Sequence, residues 1–182
     1  SILSFFTIIS TKGLDVAVIG GGDTALEEAC YLAKMCNKVY LVHRRDKFRA
    51  SQAMQDKAAK TPNIEFVMNS IPQEILGEKK GFVKRVTGLQ LLNKETNELN
   101  TIEIRGVFVA IGVTPVTDLF KGQLDLDEQG YIITQGNRPL TNVPGVFAAG
   151  DVQDPLYRQA ITAAASGCKA AVEAERFLME NE

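Results

Sequence analysis

Val16-Ala17-Val18-Ile19-Gly20-Gly21-Gly22-Asp23-Thr24-Ala25-Leu26-Glu27-Glu28-Ala29 reads as a buried strand, a glycine turn and the start of an amphipathic helix. Gly20, Gly22 and Ala25 fit the G-x-G-x-x-A form of the dinucleotide pattern, with Gly21 between the two glycines. In that pattern the first glycine permits a tight turn and the second lets backbone approach a pyrophosphate. The small third residue lets helix and strand pack closely. Asp23 is expected to cap the helix, where the helix dipole favours negative charge. Free N–H groups at the helix start would face phosphate.

A second apolar run, Lys38-Val39-Tyr40-Leu41-Val42-His43, ends about 20 residues further on, where such folds meet the adenosine ribose. Asp or Glu at that point would select NAD. This chain has His43, Arg44 and Arg45 there, with Arg49 one helical turn beyond. Those cations suit a 2′-phosphate, so the expected cofactor is NADPH. A glycine-rich turn beside a solvated basic surface would contain the same residues. The strand, the helix and the spacing speak for the nucleotide.

The chain has 182 residues, enough for one substantial domain or two small ones, and a net charge of −2. No long segment is dominated by basic residues, so neither nucleic acid nor a membrane surface is expected as a partner. No stretch approaches the ~20 apolar residues of a spanning helix. The first ten residues are apolar but lack a basic leader and a cleavage site, so they do not read as a signal peptide. The chain begins with Ser rather than Met, which suggests a piece of a longer protein. Cys30, Cys36 and Cys168 form no C-x-x-C. They read as small buried side chains in a reducing compartment. No metal site is expected.

Strands are expected over 15–19, 38–43 and 64–68, with helices over 24–35 and 50–59. Residues 71–104 change character. Half-exposed strands over 83–92 and 99–104 suggest an antiparallel meander, inserted before a final parallel strand over 106–112 that is apolar on both faces. After a soft boundary near 113–116 come a short strand over 130–134, a buried strand over 146–151 and a long helix over 158–179. Gly150 would let a backbone approach a ligand at the end of its strand, with Asp151 following. The helix entered through Arg158-Gln159-Ala160 could point its N-terminus at the same place. A carboxylate can hold a ribityl hydroxyl, and helix-end N–H groups can stabilise a flavin ring carrying negative charge. On its own, a Gly-Asp turn is usually just a turn.

Four motifs together carry a resemblance: Gly20-Gly21-Gly22-Asp23-Thr24-Ala25; His43-Arg44-Arg45-Asp46-Lys47-Phe48-Arg49-Ala50; Phe108-Val109-Ala110-Ile111-Gly112; and residues 145–151 with Tyr157-Arg158-Gln159-Ala160. In this order they resemble the low-molecular-weight, NADPH-dependent thioredoxin reductases from about Leu14 to the C-terminus. Residues 49–55 look most like the plant and algal members. The resemblance implies an α/β flavoenzyme whose NADPH domain is inserted into a split FAD domain. Residues 1–13 would be a leader or incomplete hinge. Residues 14–115 would be a Rossmann-like NADPH-binding domain with an inserted antiparallel β-meander, and 116–182 the C-terminal portion of the FAD-binding domain. By match to the family's motifs, Gly20, Gly21, Gly22, Asp23, Thr24, Ala25, Glu27, His43, Arg44, Arg45 and Arg49, with Ile111 and Gly112, would serve NADPH. Gly150, Asp151, Val152, Arg158, Gln159 and Ala160 would serve FAD.

The resemblance further implies that electrons pass from NADPH through FAD to a redox disulfide and then to thioredoxin. It implies a homodimer when complete, and a cytoplasmic location or, alternatively, a plastid or other organelle. Two departures stand out. The family's redox C-x-x-C, expected near residues 1–7, is absent, so no catalytic residue is assigned. The FAD domain's own N-terminal glycine pattern is also absent, which leaves a flavin pyrophosphate without its helix terminus. The 182 residues alone are therefore expected to bind FAD weakly or not at all, and not to reduce thioredoxin. Ferredoxin–NADP reductases of the thioredoxin-reductase-like type share the glycine turn and basic run and lack C-x-x-C, but Tyr157-Arg158-Gln159-Ala160 has the thioredoxin reductase form. A non-catalytic NADPH-binding module is the reading from another class.

Overall fold

Strand β1 (Asp15–Ile19) is buried at every position after its first, and it organises the N-terminal unit. The computed structural model describes residues 11–181, so the expected leader over 1–13 lies largely outside the described residues. Strands β2 (Lys38–Val42) and β3 (Ile64–Val67) lie on one side of β1 and β7 (Gly106–Val109) on the other. All run parallel in the order β3-β2-β1-β7. Alternation along β1 sends Val16 and Val18 to one face, against Leu26 and Ala29 of helix α1 (Asp23–Leu32) and Ala58 of helix α2 (Gln52–Ala59). Ala17 and Ile19 face the other way, against Leu89, Leu91 and Ile104. Leu89 and Leu91 belong to a meander in which β4 (Ser70–Lys80), β5 (Val83–Asn93) and β6 (Leu99–Glu103) pair antiparallel in that order, and Ile104 follows it directly. Two helices, a parallel sheet and an antiparallel sheet thus make three layers, an α/β architecture in which both faces of the parallel sheet are covered.

Several expectations need correcting. The meander opens with β4, an eleven-residue strand that the sequence does not advertise. Pro72, Gly77 and a run of charges interrupt its alternation, and the strand absorbs them with irregularities at Pro72/Glu74 and Leu76/Gly77. Helix α1 stops at Leu32 rather than at residue 35, because the N–H groups of Lys34 and Met35 donate three residues back, to Tyr31 and Leu32, in a tightened last turn. Strand β7 ends at Val109 and is not buried on both faces. Val107 and Val109 look onto a cavity, and Val109 is 58% exposed.

The chain divides into two compact units after Gly112. The C-terminal unit contains helix α3 (Ala160–Glu180) and a small core of Leu124, Ile132 and Ala148. The strands expected over 130–134 and 146–151 are not formed. Each segment makes one isolated bridge, Leu126 with Ile132 and Leu140 with Phe147. The N–H groups of Val146 and Ala148 go instead to the carbonyls of Val143 and Pro139. An apolar run signals burial, but a strand needs a continuous ladder partner, and this unit offers single residues. Helix α3 begins at Ala160 rather than at 158 because Arg158 sits at φ +48°, outside helical space. None of its residues is buried. No helix among the described residues is long and apolar enough to cross a membrane.

Candidate functional site

The carboxyl ends of β1 and β7 meet at Gly20. A Cβ there would lie 2.3 Å from the Ala110 carbonyl oxygen and 2.7 Å from the Ala25 Cβ. Only glycine fits, and the contact with Ala25 is the close helix–strand packing expected of the small third position. At Gly21 a Cβ would collide with the His43 ring, 2.2 Å from Nδ1. At Gly22, which precedes α1, a Cβ would meet nothing within 4 Å. Bare backbone therefore faces open space at the start of a ten-residue helix, the geometry that accepts a phosphate.

That space belongs to a cavity of about 490 Å³. Gly20, Gly21, Gly22 and Thr24 line it from the β1–α1 turn, His43, Arg44 and Arg49 from the loop after β2, and Ile111 and Gly112 from the end of β7. Ile71, Pro72 and Ile75 of β4 close the apolar side. The structure thus brings most of the expected N-terminal site residues to one wall. Asp23, Glu27 and Arg45 are exposed but do not line the cavity, and Ala25 is buried behind the turn.

Two of those side chains play parts different from the expected ones. Asp23 does not cap its own helix, which has no side-chain cap. Its Oδ1 accepts the Ser51 backbone N–H at 3.0 Å and the Ser51 hydroxyl at 2.7 Å. Ser51 is the residue that precedes α2, so the carboxylate reaches across to a second helix start. Those bonds, the Ser51 hydroxyl first, hold the Asp23 carboxyl below the usual carboxylate range.

His43, the only histidine in the chain, is not a surface cation. It is 5% exposed, its Nε2–H donates to the Lys47 carbonyl at 3.0 Å, and its ring leans on Phe48. Burial lowers its pKa, and the charges of Arg45, Arg49 and Arg44 push the same way against the Lys47 hydrogen bond. Neutral His43 is a wedge between the glycine turn and the basic loop. Arg44, Arg45 and Arg49 are exposed, and none is in an ion pair among the described residues. Their guanidinium groups are free to bind an anion bidentately.

In the C-terminal unit, Gly150 takes φ +78° at the head of a 3-10 turn, Gly150–Gln153, that also holds Asp151 and Val152. The Gly150 N–H donates to Ser166 Oγ on α3 at 2.9 Å, which brings this turn against the helix. The organiser of the next loop is Asp154, which sequence reading passed over. Its carboxylate accepts the N–H groups of Leu156, Tyr157 and Arg158 at 2.9–3.0 Å and the Thr162 hydroxyl at 3.3 Å. Burial alone would raise its pKa, but these donors hold it low. An Asp whose following N–H groups fold back on it is an Asx turn, and the Asp-Pro pair was the available signal. Arg158 donates to the Tyr131 hydroxyl at 3.1 Å, while Gln159 and Ala160 stand exposed at the start of α3.

Residues 6–167 match the pyridine nucleotide-disulphide oxidoreductase family. The chain is 53% identical over 167 residues to a thioredoxin reductase of Rickettsia prowazekii, covering 92% of this chain and 53% of that protein. It is 50% identical over 165 residues to thioredoxin reductase 2 of Arabidopsis thaliana, covering 91% of this chain and 43% of that protein. Among solved structures, the thioredoxin reductase of Giardia duodenalis superposes with a TM-score of 0.80 at 45% identity, over 94% of this chain and 55% of that one. The thioredoxin reductase of Streptococcus pyogenes superposes at 0.82 and 35% identity, over 95% and 55%. The chain spans about half the length of the curated relatives it matches. Glycine turn, basic loop and overall likeness agree: the chain belongs to the pyridine nucleotide-disulphide oxidoreductases and is similar, within them, to the thioredoxin reductases.

Proposed function

We propose that the N-terminal unit binds NADPH at the β1–α1 turn, and that the chain is part of a flavin-dependent thioredoxin-disulfide reductase. What supports this most is a single cavity whose wall joins bare backbone at Gly22 to the guanidinium groups of Arg44 and Arg49. The residues present fit the cofactor. Gly22 and the free N–H groups of α1 face the pyrophosphate, and the two arginines hold the 2′-phosphate. Ile111 and Gly112 border the same space, and Ile71, Pro72 and Ile75 keep water from its apolar side. Bound NADPH supplies a hydride, and this chain's residues bind and orient it.

On the same reading Gly150, Asp151 and Val152, with Arg158, Gln159 and Ala160, border an FAD. The chain's own thiols take no part in disulfide reduction. Cys30 and Cys36 are buried, and burial raises the Cys36 thiol pKa, which disfavours a reactive thiolate. Cys168, expected to be buried, is exposed on α3 and has no second cysteine beside it in sequence. The redox disulfide then belongs to another part of the complete protein, which would pass electrons to thioredoxin, act as a homodimer and work in the cytoplasm or an organelle. The test is direct titration of the purified chain with NADPH and with NADH by calorimetry. NADPH binding at least about tenfold tighter supports the reading. Equal affinities, or no binding, would overturn it.

A further inference from the structure

Three consecutive backbone N–H groups staple the basic loop to the glycine turn. Arg49 and Ala50 donate to the Gly21 carbonyl at 2.7 and 3.2 Å, and Ser51 donates to Asp23 Oδ1 at 3.0 Å. The Ser51 hydroxyl adds a fourth bond to the same oxygen at 2.7 Å. The two bonds to Gly21 are main-chain to main-chain and any sequence could make them. The two to Asp23 depend on one side chain. The far end of the loop is fixed separately, by His43 Nε2–H on the Lys47 carbonyl. Arg49 is itself one of the stapled residues and Arg44 lies within the turn that His43 closes on Lys47; both are on the cavity wall.

We infer that Asp23 is a positioning residue for cofactor selectivity: it touches Ser51 rather than the nucleotide, and by clamping the start of α2 it holds the arginines of the basic loop over the 2′-phosphate position. This inference rests on the NADPH reading above. The helix dipole favours a carboxylate at the start of α1, but the same carboxylate would repel the pyrophosphate; its hydrogen bonds go to the clamp. The two effects separate cleanly. Pyrophosphate repulsion is felt equally by NADPH and NADH. Misplacement of the arginines is felt by NADPH alone.

The experiment is titration of the full 182-residue chain and of Asp23→Ala, Asp23→Asn and Ser51→Ala with NADPH and with NADH, each variant checked for native circular dichroism. Asp23→Ala should cut the NADPH-over-NADH preference by about tenfold, since it removes two charge-assisted hydrogen bonds. Ser51→Ala, at a residue that does not line the cavity, should cut it by a smaller factor. Asp23→Asn keeps an acceptor oxygen for both Ser51 donors and should retain most of the preference. A wild-type preference that survives unchanged in Asp23→Ala, or affinities for both nucleotides that fall together, would overturn the clamp while leaving the NADPH reading intact. Absence of any wild-type preference would overturn the NADPH reading itself, and the clamp with it.

Discussion

Gly21 and His43 occupy one another's space: a Cβ on Gly21 would lie 2.2 Å from the His43 Nδ1. The imidazole therefore leaves no room for a side chain at the middle glycine of the turn. Gly21→Ala should push the ring off its seat against Phe48 and cost about 1–3 kcal/mol of stability, as overpacking does. The cost should shrink in a His43→Ala background, where the colliding ring is gone. Urea denaturation of the four proteins of this cycle checks the coupling. Additive effects would mean that the two residues do not share the space.

The lone histidine gives a second prediction. Its pKa is lowered in the fold, chiefly by burial. The folded state therefore resists a proton that the unfolded chain accepts at its ordinary value of about 6.5. Stability contributed by neutral His43 is fully present above about pH 6.5 and is lost as pH falls from there through the folded value. With one histidine in the chain, an NMR titration reports it without overlap. A folded value at or above about 6.5 would contradict the wedge. His43→Gln should flatten the loss of thermal stability between about pH 7 and pH 5.5.

Much of the site was legible in the sequence because it rests on local rules. Val16 to Gly22 announces a buried strand and a glycine turn, and the spacing to Arg44 and Arg49 follows from the fold. What was not legible depends on partners far along the chain. Asp23 reads as a helix cap because its real partner, Ser51, is 28 residues away. His43 reads as a cation because burial and the Lys47 carbonyl are visible only in three dimensions. Residues 146–151 read as a buried strand because an apolar run does not reveal whether a ladder partner exists. Strand β4 escaped notice because Pro72 and Gly77 are turn signals in a sequence and bulges in this sheet.

The basic loop gives the third prediction, because its three arginines are not equivalent. Arg44 and Arg49 line the cavity and Arg45 does not. Arg44→Glu should abolish the preference for NADPH over NADH, a change of at least tenfold from a charge-assisted contact worth ~1.5–3 kcal/mol. Arg49→Glu should act in the same direction, and Arg45→Glu should change the ratio least. Equal loss of both nucleotides in Arg44→Glu would remove its specific role.

Asp154 gives the fourth. Asp154→Ala strips the acceptor from three backbone N–H groups and the Thr162 hydroxyl. Amide exchange at Leu156, Tyr157 and Arg158 should accelerate by about tenfold or more, as expected when a hydrogen bond to a charged group is lost. Exchange in β1 and β2 should not change. Because the folded pKa of Asp154 is lowered, the protection it gives is present above the ordinary carboxylate range and is lost as pH falls through the folded value. Unchanged exchange at the three amides would mean that the loop is held by something else.

The fifth prediction concerns flavin. Gly150 to Val152 and Arg158 to Ala160 offer a turn, one carboxylate and one helix start, all on a unit whose 21-residue helix buries no side chain. Ile161, one residue past the start of that helix, is 77% exposed. On this unit a flavin held there would meet only that turn and helix start. Its pyrophosphate would also lack the glycine turn and helix N-terminus that such a group uses. The purified 182-residue chain should therefore carry little or no flavin and fail to reduce thioredoxin, while still binding NADPH through its other unit. Absorbance near 450 nm against protein concentration measures this directly. Stoichiometric flavin in a pure sample would mean that residues 113–181 build a more complete site than their exposed surfaces allow.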